Sequence, residues 1–290
     1  MTPPSRQGGH AAPGPMHLVW FHHAGGHGES FRAMAAHLPS HWRVSLVEYP
    51  GRGALAHLPA YGDLAELAAW LLPDIAPLAQ QPFAFFGHSM GALVAHELAR
   101  QMQARRLPPP LWIGVSGHRA PQLAKPPAEQ LHALSDEALV DRLKHMGALP
   151  AHAVTPAYID LMRTDLRACE THHTVFAKAT GVLPCSLSTF TGNADPMVRA
   201  QDMHPWSDHV SKPVRHHVLP GGHFFLAGVR RRQVLELIVH DIEAARRAEA
   251  HHLHPIDIPT NPPFIDHAKH PSSSHDARLG LRHLEDVDRR

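Results

Sequence analysis

One short run limits the folds open to this chain more than any other. Phe83-Ala84-Phe85-Phe86 leads straight into Gly87-His88-Ser89-Met90-Gly91, and Ala92 to Met102 follows as a strong helix former. A serine with a glycine two places on either side, between an apolar strand and a helix, marks a very tight turn. A Cβ at Gly87 or Gly91 would meet the backbone crossing over it. Such an elbow lifts the Ser89 hydroxyl above the sheet. The helix beginning at Met90 then aims its positive dipole end at any negative charge developing there.

The rest of the chain alternates strand and helix as that turn requires. Met16 to Phe21 reads as a buried strand ending in His22-His23-Ala24-Gly25-Gly26, with a helix from Glu29 to His37. Trp42 to Tyr49 is the next strand, stopped by Pro50-Gly51, and Asp63 to Leu72 has helical spacing. Leu111 to Ser116, Cys185 to Thr191 and Val214 to Leu219 are further strands; helices are expected around Met203 to His209 and from Val229 to about Ala248. The class implied is α/β, with a mostly parallel central sheet covered by helices on both faces. About seventy residues separate Ser116 from Cys185, and helices from Ser135 to His145 and within Pro156 to Lys178 fall in that gap. So much helix between neighbouring strands implies an inserted helical lid at about 121–184. Its apolar stripe Leu139, Leu143 and Met146 either covers a substrate site or holds the insertion together.

Composition removes several function classes. Basic and acidic residues nearly cancel at a net charge of +1, which gives no electrostatic surface for nucleic acid. No run of about 18 apolar residues offers a membrane span. Residues 1–15, rich in Pro and Gly, lack the apolar core of a secretory signal. Cys169 and Cys185 form neither a disulfide framework nor a metal pair, which fits a cytoplasmic protein. One domain is expected over 16–250, between a disordered segment at 1–15 and a disordered His- and Pro-rich tail at 251–290. The tail's histidines are irregularly spaced, so incidental metal affinity is the reading for them.

A serine hydroxyl needs a base within hydrogen-bond reach. Of the 29 histidines, His223 lies in Leu219-Pro220-Gly221-Gly222-His223-Phe224-Phe225, between the last strand and the last helix, where loops converge on the elbow. His22 and His23 are rivals; His88, inside the elbow, is expected to pack. The base needs an acid to fix its tautomer. Asp195, in Thr191-Gly192-Asn193-Ala194-Asp195-Pro196, follows the preceding strand, whereas Asp202 and Asp208 fall in the next helix and read as solvated. The alternative for Asp195 is a turn or helix cap. The order Ser89, Asp195, His223 is that of an α/β-hydrolase fold. Backbone N–H groups of Met90 and of the loop around Ala24 could form an oxyanion hole, although a plain glycine turn is the simpler reading of that loop. The cycle this implies requires no metal and no organic cofactor.

With these loops in hand the chain resembles the type II thioesterases that accompany polyketide and nonribosomal peptide synthases. The resemblance rests on Phe21-His22-His23-Ala24-Gly25-Gly26, Tyr49-Pro50-Gly51-Arg52-Gly53, Gly87-His88-Ser89-Met90-Gly91, Ser116-Gly117-His118-Arg119-Ala120-Pro121, Asp165-Leu166-Arg167-Ala168-Cys169-Glu170 and Gly221-Gly222-His223-Phe224-Phe225-Leu226. It implies Ser89 as nucleophile, Asp195 as acid, His223 as base and Ala24 and Met90 as oxyanion donors. It also implies a monomeric hydrolase that clears acyl groups from the phosphopantetheine thiol of an acyl or peptidyl carrier protein. His22 stands where the family usually has proline, Asn193 where it has an acid, and His172 where an aromatic hydroxyl is common.

Overall fold

The computed structural model describes residues 15–123, 125–149, 154–172, 182–227, 231–252 and 281–283. Six strands run parallel: β1 (His17–Phe21), β2 (Arg43–Val47), β3 (Phe83–His88), β4 (Trp112–Ser116), β5 (Ser186–Gly192) and β6 (Val214–Leu219). A seventh, β7 (Leu281–His283), pairs antiparallel with β2, and the sheet order is β6-β5-β4-β3-β1-β2-β7. The central strands are apolar on both faces because both faces are covered. Val19, Phe21, Phe83 and Phe85 pack with helices α2 (Leu64–Ile75) and α3 (Met90–Ala104). Leu18, Trp20, Ala84 and Phe86 point the other way, toward α1 (Arg32–Ala35) and α6 (Arg231–His252). The period of two thus sorts neighbouring residues into two separate cores.

Helix boundaries follow from capping and burial. Asp63 accepts from the Ala65 and Glu66 N–H groups at 2.8 and 3.0 Å, and Leu64, Leu67, Ala68, Leu71, Leu72 and Ile75 then form the buried stripe of α2. Full burial of one such leucine stabilises the fold by about 1.5–3 kcal/mol. The helix expected from Glu29 to His37 is instead a 3₁₀ turn, Gly28–Phe31, followed by the single turn of α1. Phe31 leaves helical geometry at φ −109° and stacks on Trp20, 5.1 Å between ring centres. The segment around Met203 is also 3₁₀, Ala200–His209; Pro205 inside it has no N–H to give an α-helical bond.

Between β4 and β5 the chain makes short 3₁₀ turns and two helices, α4 (Asp136–His145) and α5 (Pro156–Thr171). Ser135 and Thr155 cap them, each accepting an N–H three residues on. Leu139 and Leu143 bury against Leu131, Ile159, Met162 and Leu166, with Met146 packed alongside. The α4 stripe therefore holds the insertion together. The parts of the proposed 121–184 lid at 124, 150–153 and 173–181 lie outside the described residues, as do residues 1–14 and most of the tail.

The described part of the tail departs from the expectation in two places, the first being α6, which runs on to His252. Leu281–His283 adds to the edge of β2, in register Ser45 with His283 and Val47 with Leu281. An edge strand offers unpaired N–H and C=O groups to any extended segment, so this pairing needs no apolar periodicity. No helix among the described residues is long and apolar enough to cross a membrane.

Candidate active site

The elbow has the geometry its glycines foretell. Ser89 sits at φ 56°, ψ −117°, and its N–H donates to the Ser116 carbonyl of β4 at 2.7 Å. A side chain at Gly87 would come within 2.0 Å of the Gly91 carbonyl oxygen, and one at Gly91 within 2.2 Å of that of Phe21. A non-glycine residue held at positive φ costs of order 1–3 kcal/mol, which the surrounding packing must offset.

His223 is placed against Ser89, its Nε2 at 3.1 Å from Oγ. Its Nδ1 lies 2.8 Å from Asp195 Oδ2. A carboxylate oxygen there accepts, so Nδ1 carries the proton and the Nε2 lone pair faces the serine. The second Asp195 oxygen accepts from the Met197 and Val198 N–H groups at 2.8 and 3.3 Å. Both oxygens of this buried carboxylate are therefore fixed. The rival histidines are used elsewhere: His22 Nδ1 bonds the His23 carbonyl and His23 Nδ1 bonds that of Ala24. His88 packs as expected, buried with Nδ1 at 3.0 Å from Ser116 Oγ. Asp202 is not solvated; it is buried and paired with Arg199 at 3.0 Å.

Two features that bring Asp195 and His223 together were not read from the sequence. Gly192, the last residue of β5, admits the His223 loop: a Cβ there would lie 2.4 Å from the carbonyl oxygens of both Gly221 and Gly222. Asn193 closes the same contact, its Oδ1 accepting from the Gly221 N–H at 3.1 Å. A glycine ending a strand just before an acid is the signal that could have found the first.

A cavity opens beside Ser89, with Ala24, Leu93, Leu123, Leu166 and Met197 in its wall. Leu166 comes from α5, which also lends Cys169 and Glu170. The insertion thus reaches the cavity through α5 and through its first residues, Pro121, Leu123 and Lys125, not through the α4 stripe. Met90 opens α3, so its N–H points from the helix terminus, and Ala24 follows β1 across the elbow. Among the described residues no group of three or more His, Cys, Asp or Glu is arranged to hold a metal ion.

Burial leaves a charge signature around this site. It pushes His23, His118 and His209 down to about 4 and His88 and His96 well below the ordinary imidazole value. The unfolded chain takes up protons at these positions once the pH drops below about 6.5, whereas the folded protein does so only near 4 at His23, His118 and His209, and only well below the ordinary imidazole value at His88 and His96. The unfolded state therefore binds more protons in that window, and the stability present above pH 6.5 is lost as pH falls through it. Each such histidine contributes a slope of about 1.4 kcal/mol per pH unit. Glu48, Glu170, Asp202 and Asp241 have lowered pKa values because hydrogen bonds outweigh their burial, so they act only below about pH 4.5. The urea midpoint is expected to fall steadily from pH 7 to pH 5. A midpoint constant over that range would show that these rings are charged in the fold.

The family model described as a thioesterase domain matches residues 16–242. Over 214 residues the chain is 33% identical to a Streptomyces griseus protein named probable cadicidin biosynthesis thioesterase, which covers 72% of this chain and 58% of that protein. It is 32% identical to thioesterase PikA5 of Streptomyces venezuelae, covering 75% of this chain and 78% of PikA5. Among solved structures, RedJ, a thioesterase from the prodiginine biosynthetic pathway in Streptomyces coelicolor, superposes with a TM-score of 0.71. The two are 33% identical, covering 80% of this chain and 89% of RedJ.

Proposed function

The chain belongs to the thioesterase domain family, and from that premise we propose that Ser89, His223 and Asp195 hydrolyse acyl groups from the phosphopantetheine thiol of carrier proteins. The observation that carries this reading is the relay Asp195–His223–Ser89 at the mouth of a cavity walled by the insertion.

In the proposed cycle, His223 Nε2 takes the Ser89 proton as Oγ attacks the thioester carbonyl carbon. The oxyanion rests on the Ala24 and Met90 N–H groups, aided by the positive end of α3. Collapse breaks the carbon–sulfur bond, and the imidazolium returns its proton to the departing thiolate. Water then gives a proton to the same ring while attacking the acyl-Ser89 ester, and the carboxylic acid leaves as Ser89 is reprotonated. Asp195 holds the ring in the tautomer that each half-reaction needs. The insertion acts as a lid over the acyl chain, through Leu166 and its neighbours on α5.

An editing role in polyketide or nonribosomal peptide assembly is part of this reading, supported by relatives named as thioesterases of cadicidin and prodiginine biosynthesis. A carrier contributes its own surface to binding, which coenzyme A lacks. With one acyl chain presented both ways, the kcat/KM for acyl-carrier is expected to exceed that for acyl-CoA by tenfold or more, on the order of 1.4 kcal/mol of extra transition-state binding. Equal or better use of acyl-CoA would make this a hydrolase of free acyl thioesters.

A further inference from the structure

Two motifs have no part in the triad: Pro50-Gly51-Arg52-Gly53, after β2, and Asp165 on α5. The fold joins them in a buried ion pair. Arg52 meets Asp165 with two parallel bonds, Nη1 to Oδ2 at 2.6 Å and Nη2 to Oδ1 at 2.8 Å. Asp165 is wholly buried and Arg52 nearly so. Arg52 also donates to the Pro50 carbonyl, and its guanidinium lies 5.4 Å from the Tyr49 ring centre.

The pair does more than neutralise itself. The same Asp165 Oδ2 accepts the Gly25 N–H at 2.8 Å, and Arg52 Nη1 reaches the Gly26 carbonyl at 3.5 Å. Gly25 follows Ala24, and it holds φ 67°. Helix α5 lies directly against it: a Cβ at Gly25 would fall 2.3 Å from Met162 Cε and 2.8 Å from the Tyr158 hydroxyl. From the other side, the Tyr49 hydroxyl donates to the His22 carbonyl at 3.2 Å. The peptide that follows the Ala24 donor is thus gripped by a helix of the insertion and by the loop after β2.

We propose that Asp165, held by Arg52, is a positioning residue that sets the Ala24–Gly25 peptide, so that the wall of the acyl cavity and the oxyanion hole are assembled as one unit. This rests on the reading of Ala24 as an oxyanion donor. When α5 lifts away from the cavity, the Gly25 N–H loses its acceptor and the donor before it loses its aim. Closure over an acyl chain then completes the catalytic geometry, and an open enzyme does not stabilise the tetrahedral intermediate.

Two double variants separate positioning from mere stability. Removing both charges in Arg52→Met/Asp165→Leu avoids leaving one buried ion alone, so the fold is expected to survive. It still strips Gly25 of its acceptor, and kcat on acyl-carrier is expected to fall 10- to 100-fold with KM within threefold of the parent. Arg52→Met/Asp165→Asn is equally uncharged but keeps a carbonyl oxygen for the Gly25 N–H, and most of the lost kcat is expected to return. A Met/Leu variant with parental kcat, or a loss carried by KM alone, overturns the proposal. So does failure of the Asn variant to recover. Hydrogen exchange of the unaltered protein gives a readout that needs no variant. The Ala24–Gly25 amides are expected to open together with the amides of α5, and free exchange of the loop beside a protected α5 overturns the coupling. Absence of Ser89-dependent turnover in the parent enzyme would instead defeat the thioesterase reading, leaving the exchange result to stand by itself.

Discussion

Ser89→Ala is expected to lower thioester turnover by about 10⁴-fold or more while the melting temperature stays within about 3 °C of the parent. The hydroxyl is the atom that would form the acyl bond, and its neighbour is His223 Nε2 at 3.1 Å. Little packing is lost, because alanine must adopt the same positive φ and only one oxygen is removed. Steady-state kinetics on an acyl-carrier substrate, with a thermal melt of the same sample, measures both halves. Turnover within tenfold of the parent would remove Ser89 from the chemistry.

Asp195→Asn is expected to cost a comparable factor, about 10³–10⁴ in kcat. The side chain would still fit between His223 and the Met197 and Val198 N–H groups, so the fold should be kept. An amide, however, favours the ring tautomer whose proton is on Nε2, facing Ser89 with no lone pair to receive its proton. Asp202→Asn weakens a pair with the mostly exposed Arg199, and Asp208→Asn alters a 3.3 Å contact from Gln122. Neither is expected to change kcat more than about twofold. If Asp202 or Asp208 proved the sensitive position, the acid would have been assigned to the wrong loop.

The parts of this site that were legible in the sequence are those fixed by backbone sterics. Gly87 and Gly91 have a single geometric purpose, and the carbonyls 2.0 and 2.2 Å from their missing Cβ positions explain why. Continuous apolar runs at β1, β3 and β4 were equally plain, since a strand covered on both faces has no polar side to blur it. His223 and Asp195 could be placed only by their position after strands, because 29 histidines leave residue type uninformative. Contacts across long sequence separations were not legible. Nothing local in Arg52 or Asp165 says that residues 113 positions apart share two hydrogen bonds, or that a glycine amide 140 positions from Asp165 shares them. The 3₁₀ segments were missed for a related reason: their apolar spacing resembles an α-helix, and the break is set by Phe31 stacking on Trp20 and by Pro205. The β7 pairing was invisible because it depends on a free sheet edge rather than on the pattern of the segment that fills it.

The central claim is that Ser89 is a nucleophile activated by His223 and Asp195. An alkyl fluorophosphonate tests it directly, since phosphorus is attacked by an activated serine and the adduct does not turn over. Peptide mapping by mass spectrometry after treatment of the folded protein is expected to find one phosphonyl group on the peptide carrying Ser89, with loss of thioester hydrolysis in proportion. Urea-unfolded protein and Asp195→Asn should react far more slowly. An unlabelled Ser89 in folded protein that still hydrolyses acyl-carrier, or a label on a different side chain, would contradict the account.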